Sequence, residues 1–291
     1  MRFIKSLRFD IRLGKRQSLK NMSLLLLLSG FLFIHFIFSV FHIFYFEVHT
    51  LSGVEQLHLS YGDLLLYELG GILPMLQMPE SGDTIPFPTL WLLFHIFISY
   101  TSLHFLQHDL SSGGIQVIVR EKSKTLWLLS KYLWTGLSTA LLYATACLTL
   151  FLLTRLTGNE GGFSLNGDLF AASAAEALPQ LARSETNLFL SVVVLPCLVG
   201  VTISLAQMLL TLFMKPVIAF LATCSYYIAG IYYANPVMLS NYAMPVRSAE
   251  IGIYNFDWGT GMILCAVLSI AAVIAGVYRI NHMDLATGRE R

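Results

Sequence analysis

Charge is what this sequence has least of. Only 12% of its 291 residues are Asp, Glu, Lys or Arg, against 56% hydrophobic residues, and the mean hydropathy is +0.68. A water-soluble domain carries about 25% charged residues, so the composition excludes an ordinary soluble fold and points to an integral membrane protein. Cysteine is sparse as well. Cys147, Cys197, Cys224 and Cys265 all fall inside apolar runs and form no CxxC pair, which reads as four small buried hydrophobes rather than a disulfide framework. Phosphate-loop, nucleophile-elbow and dinucleotide signatures (GxxxxGK[ST], GxSxG, GxGxxG) are all missing. The chain is therefore expected to have no catalytic residue, no nucleotide or cofactor site and no metal site of its own.

What is present is a series of long apolar runs, at 23–46, 87–107, 132–154, 187–213, 216–235 and 260–278. A helix crosses a bilayer with about 20 such residues, so the expected fold is an all-α integral membrane protein. It has six transmembrane helices in a single transmembrane domain covering residues 1–291. The fourth and fifth runs are separated only by Met214-Lys215-Pro216, and Pro216 suits a first helical turn, where its missing N–H costs nothing. Pro196 and Gly200 are candidate kink positions within the fourth run. The first run is longer than the about 7–15 apolar residues of a signal peptide and is expected to stay in the membrane.

Lysine and arginine set the orientation. Of the 18, 15 fall on one side: seven before the first run, then Arg120, Lys122, Lys124, Lys131, Lys215, Arg279, Arg289 and Arg291. Arg155, Arg183 and Arg247 fall on the other. The stretch from Glu47 to Thr89 carries no Lys or Arg at all while holding six carboxylates. Both termini and the 108–131 loop are thus expected in the cytoplasm, the protein being multi-pass in the cell membrane.

No Asp, Glu, Lys or Arg occupies the middle of any run, which argues against proton-coupled transport and against a charged channel filter. Histidines stand there instead: His35 and His42 in the first run, His95 and His104 in the second. His104 and His108 share a helical face at i and i+4, but no third ligand accompanies them, so interhelical hydrogen bonding is the expected role. Outside the runs, residues 1–16 place Phe3, Ile4, Leu7 and Ile11 on one arc. Arg2, Lys5, Arg8, Arg12, Lys15 and Arg16 lie opposite, the pattern of a helix in the headgroup plane. In the 47–86 stretch, YGDLLLYELGGIL predicts an interfacial helix ending at Gly70-Gly71, and 236–258 is broken by Pro236 and Pro245 and can dip into the membrane.

The 108–131 loop holds a basic island, Arg120-Glu121-Lys122-Ser123-Lys124, after Gly113-Gly114 and before Trp127. Positive-inside sorting and aromatic belts account for its sign and its tryptophan. They do not account for its length or for the spacing Gly114-x-Gln116-Val117-x-x-Arg120-x-x-Ser123-Lys124-x-x-Trp127-x-x-Ser130-Lys131. That pattern is similar to the stretch after the second span of ABC-2 type permeases, the membrane subunits of bacterial ABC exporters. LSNYAMPVR at 239–247 resembles their outer piece before the last span, without the proline expected ahead of Asn241-Tyr242.

The resemblance implies a half-transporter that pairs with a second copy of itself or a related permease. Each copy sits on a separate ABC ATPase chain that binds ATP and Mg. Arg120, Glu121, Lys122, Ser123 and Lys124 would form the coupling helix that docks on that ATPase. Arg2, Lys5, Arg8, Arg12 and Arg16 would belong to a connecting helix beside it. The implied cargo is hydrophobic or amphipathic, such as a peptide toxin, antimicrobial peptide or antibiotic, and no nucleic acid is involved. Two other readings stand beside it: a lipid-modifying membrane enzyme using Glu68, His58 or Asp63, and a non-transporting sensor or immunity protein for an antimicrobial peptide.

Overall fold

In a computed structural model of the chain, residues 19–26, 60–73, 87–109, 123–156, 185–251 and 256–283 are described, together with positions 30, 34, 162 and 163. The expected amphipathic N-terminal helix, most of the first apolar run with His35 and His42, and the segment 110–122 lie outside them. The described residues are overwhelmingly helical, with an isolated bridge between Ser248 and Phe256. Residues 19–26 are helical, as are seven further elements: α1 (Tyr61–Leu69), α2 (Thr89–Asp109), α3 (Lys124–Leu156), α4 (Glu185–Phe189), α5 (Leu195–Leu210), α6 (Pro216–Tyr232) and α7 (Trp258–His282). Among the described residues three stretches are long and apolar enough to cross a membrane: Lys124–Leu156, Asn187–Leu210 and Trp258–His282. Thr89–Leu103 and Pro216–Tyr232 are shorter apolar helices.

Interhelical hydrogen bonds fix the directions of these helices. Thr139 Oγ1 donates to Ser204 Oγ at 3.3 Å, and Thr135 Oγ1 reaches Met208 Sδ at 3.4 Å, so α3 and α5 run antiparallel. Thr202 lies on Ser269 at 3.0 Å, and further along Arg279 lies on Leu212, so α5 and α7 run parallel. Lys124 on Met283 and Tyr132 on Ala272 make α3 and α7 antiparallel. The ring pairs Trp91–Tyr227 and Tyr100–Phe220 set α6 against α2 in opposite directions. The result is an up-and-down bundle with α5 at its centre, packed against α2, α3, α6 and α7.

Serine and threonine mediate this packing because each hydroxyl can also bond a carbonyl of its own helix. Close approach comes from glycine. A Cβ on Gly200 would stand 2.5 Å from Tyr143 Cε2, so α5 and α3 pack at a distance that only glycine permits there. Gly200 is thus a contact position rather than the source of a kink. The irregularity lies one turn earlier, where Leu190–Val194 forms a π-helical turn ahead of Pro196. Pro196 has no N–H for the carbonyl of Val192, and widening the turn moves that carbonyl to another donor.

The Leu-rich helix foreseen between the first two runs is α1. Ser60 and Asp63 cap it reciprocally, with Asp63 N donating to Ser60 Oγ at 3.1 Å and Ser60 N to Asp63 Oδ2 at 3.0 Å. It ends at Gly70, followed by Gly71 at φ +80°, a left-handed turn open to glycine. Instead of lying flat on a surface, α1 is sunk into the bundle. Leu64, Leu65, Leu66 and Leu69 share one apolar core with Phe94 and Ile98 of α2 and Leu142, Tyr143 and Ala146 of α3. Tyr61 Oη donates to the carbonyl of Cys147 at 2.9 Å.

Candidate functional site

Two regions of the bundle concentrate its polar chemistry: a buried spine joined to the loop before α7, and the opposite end, where α3 begins. The spine rises along one face of α2, at Trp91, His95 and Ser99. Trp91 Nε1 donates to the carbonyl of Ala243 at 2.7 Å. His95 is fully buried; its Nδ1 stands 2.7 Å from the carbonyl of Trp91 and its Nε2 2.9 Å from Tyr143 Oη. A carbonyl can only accept, so Nδ1 carries the proton and, in the neutral ring, Nε2 accepts from the tyrosine. The imidazole is enclosed by Trp91, Phe94, Tyr143 and Tyr227, the nearest ring centroids being 4.4 and 4.9 Å away. One turn on, Gln207 Nε2 donates to the carbonyl of Ser99 at 2.9 Å. Two acceptors close to this spine, Gln207 Oε1 and Tyr227 Oη, are buried and unpaired among the described residues.

The spine meets the segment 239–247, which is folded into two 3-10 turns, Leu239–Ala243 and Pro245–Arg247, and is buried throughout, while residues 233–237 ahead of it are exposed. Arg247, read from the sequence as an outer-loop cation, has no exposed surface. Its Nε donates to the carbonyl of Ile72 at 2.7 Å, its Nη1 to Gly230 at 2.6 Å and to Asn241 Oδ1, and its Nη2 to Ile231 at 2.7 Å. Gly230 and Ile231 belong to the last turn of α6, where carbonyls lack helical partners and the helix dipole is negative. The guanidinium stabilises the α6 C-terminus and ties it to the segment after α1. Asn241 Nδ2 bonds the carbonyls of Tyr233 and Asn235, both at 2.9 Å, closing the chain as it leaves α6.

At the other end, Arg120, Glu121 and Lys122 lie outside the described residues, as do all five cations assigned to the connecting helix. Ser123 and Lys124 are described. Ser123 Oγ accepts from Leu126 N at 3.3 Å, and α3 starts at Lys124, well before the expected span edge at 132. No proline or glycine interrupts Lys124 to Tyr132, and Trp127, Leu128 and Lys131 turn one stripe inward, so the helix simply continues. Lys131 is buried beside Trp127, its ammonium 5.7 Å from the ring centroid.

Lys124 Nζ donates to the carbonyl of Met283, the C-cap of α7, at 2.7 Å. Thr125 and Asn281 are paired at 3.1–3.2 Å, and Arg279 Nε meets the carbonyl of Leu212 at 3.5 Å. The start of α3 is thereby fastened to the end of α7, and α7 to the end of α5.

Of the residues considered for lipid chemistry, His58 is not described, and Asp63 is committed to capping α1. Glu68 is buried with both carboxyl oxygens unpartnered among the described residues, and burial pushes its pKa up to about 8. His104 and His108 lie on the last turns of α2, with side chains outside the described set. The cysteines are unpaired, and among the described residues no group of three metal-type ligands forms.

Fold and composition together define a helical membrane protein. Residues 72–286, well over half of the chain, match the model of a family described as "Protein of unknown function (DUF2705)". The chain belongs to that family. Comparison with curated proteins and with solved structures gives no match.

Proposed function

We propose that this chain is the permease subunit of an ATP-driven ABC exporter: a six-span protein with both termini in the cytoplasm, moving a hydrophobic or amphipathic cargo outward and energised by a separate ATPase. Arg120, Glu121, Lys122, Ser123 and Lys124 form the docking element in this reading. Arg2, Lys5, Arg8, Arg12 and Arg16 lie on a second helix beside it. A second copy or a related permease completes the pathway.

The observation that carries the reading is the fastening at the start of α3. A coupling element is useful only if displacement of its loop moves the transmembrane helices. Lys124 on Met283, Thr125 with Asn281, and Arg279 on Leu212 link the last residue of the basic island and the one after it to α7 and then to α5, the helix with the most neighbours. A push delivered at 120–123 is then felt by three helices together. Lys124 acts in this arrangement as the joint between island and bundle, which leaves Arg120 and Lys122 as the cations available to a partner.

The test is co-purification of the tagged chain from its native membranes, with the partner identified by mass spectrometry and ATP hydrolysis measured in the complex. A chain with a phosphate loop should be recovered with the wild type and lost from the double variant R120E and K122E, whose thermal melting stays unchanged. Recovery of the same ATPase by that variant, or no ATP hydrolysis in any preparation, would refute the assignment.

A further inference from the structure

The position of α6 and α7 on either side of α5 has a consequence independent of the exporter reading; it requires only that the chain lies in a bilayer. Both helices pack on α5 and scarcely on each other, and the 3-10 turn Leu239–Ala243 packs against all three. That turn fills one end of the space between them: Tyr226 Oη accepts from Leu239 N at 2.8 Å, and a Cβ on Gly261 would collide with Tyr242. From Tyr226 the same face of α6 continues at i−4 and i−8 to Ala222 and Ile218, and ends beside Lys215. On α7 the corresponding stripe passes Leu268 and Ala271 and reaches Arg279.

No residue among those described covers these positions. Ile218 is 52% exposed, Leu268 40%, and the alanines are exposed as well. The groove is closed at the Tyr242 end, apolar along its length and open at the end where Lys215 and Arg279 stand. The Arg279 guanidinium stands over Phe213, 5.0 Å from the ring centroid, and Phe213 is 58% exposed. Its Nε is turned to Leu212, while its Nη donors and the Lys215 ammonium have no hydrogen-bond partner among the described residues.

We propose that this groove is a binding site for an anionic phospholipid. The phosphate sits between Lys215 and Arg279, and an acyl chain passes over Phe213 and along Ile218 and Leu268. Charge complementarity selects the occupant: a second copy of this chain would bring another apolar helix to the groove but nothing on its α6 or α7 stripe to neutralise two cations. A zwitterionic lipid fits the apolar part equally well but gains less at the mouth. Alanine at 222 and 271 provides the width for a chain, which larger side chains would remove.

The test is native mass spectrometry of the full-length protein released from detergent micelles, with phosphatidylglycerol or phosphatidylcholine of identical acyl chains added. Phosphatidylglycerol should be retained preferentially, and K215Q should lower its retention about fivefold, the equivalent of about 1 kcal/mol per interfacial cation. R279Q should do the same. Because Arg279 also supports the end of α5, K215Q, at an exposed position, decides the matter if R279Q fails to fold. The groove-filling pair A222L and A271L should reduce retention of both lipids, while K20Q, an exposed cation outside the groove, should leave it unchanged. Equal retention of the two lipids, insensitivity to K215Q, or a dimer mass that disappears with the groove-filling pair would each overturn the proposal.

Discussion

Arg247 and Asn241 hold each other at the point where the chain leaves α6: the guanidinium donates to the asparagine side-chain oxygen, and the asparagine amide nitrogen takes the carbonyls of Tyr233 and Asn235. The arginine donates to three backbone carbonyls, those of Ile72, Gly230 and Ile231, which lose that donor without it. Each such group left unpaired costs about 1–3 kcal/mol. Arg247→Met should therefore lower unfolding stability by roughly 3–5 kcal/mol, or prevent accumulation of the folded protein. Arg247→Lys should recover only part of it, since one ammonium cannot reproduce the planar fork. Thermal melting in detergent reads both, and a lysine variant as stable as wild type would contradict the role assigned to the fork.

The His95–Tyr143 pair makes a second, independent prediction. Tyr143→Phe removes the hydroxyl that donates to His95 Nε2 and leaves a buried acceptor unpaired, at a cost of about 1–3 kcal/mol. Gly200→Ala attacks the same pair from behind, because its Cβ would meet the Tyr143 ring at 2.5 Å. Overpacking of this kind typically costs about 1–3 kcal/mol. Since both changes act through one side chain, their combined effect should fall short of the sum. A double-variant cycle measured by melting decides this, and strict additivity would separate Gly200 from the histidine.

These two clusters also show where the sequence was legible and where it was not. The apolar runs at 187–213, 216–235 and 260–278 correspond closely to helices, because twenty apolar residues in succession leave few alternatives. Charge was the misleading signal. Lys131 reads as part of a cytoplasmic loop and Arg247 as an outer-loop cation, yet both are buried. Their partners explain why: Lys131 rests on Trp127 one turn away, while Arg247 bonds carbonyls at 72, 230 and 231. Backbone acceptors carry no sequence signature, so nothing marks them in advance. The Ser60/Asp63 capping box, by contrast, is written plainly as Ser-x-x-Asp before a leucine run, a signal that explains the start of α1. The depth of α1 depends on packing against α2 and α3 and has no local signal at all.

Glu68 makes stability depend on pH. In the unfolded chain its carboxyl titrates near 4.5, whereas burial in the folded protein pushes it up to about 8. Between these values the unfolded state binds fewer protons than the folded state, so stability falls as pH rises. The favourable contribution is complete below about 4.5 and is lost as the pH climbs through about 8, beyond which it no longer changes. The full swing is at most roughly 2–5 kcal/mol. Glu68→Gln should flatten this part of the profile and raise stability above wild type at pH 8. Melting curves collected from pH 5 to 9 test it, and parallel profiles for the two proteins would count against a buried neutral carboxyl.

The junction of α3 and α7 yields the prediction closest to mechanism. Thr125 and Asn281 share a reciprocal pair of hydrogen bonds, so their side chains are in contact at one end of the bundle. With the four native cysteines replaced by alanine or serine, Thr125→Cys and Asn281→Cys should cross-link under mild oxidation, since the two side chains touch. Lys124→Met leaves the carbonyl of Met283 without its ammonium and should loosen the α7 end. Cross-linking should then slow, while melting changes by only about 1 kcal/mol. In the exporter reading, ATP-driven transport should fail when the cross-link forms in a protein that needs relative motion here. It should persist when the two helices move as one body, which is what the three ties from Lys124, Thr125 and Arg279 imply. Loss of activity on cross-linking would show that the junction opens during the cycle, and the rigid joint proposed between the basic island and the bundle would have to be abandoned.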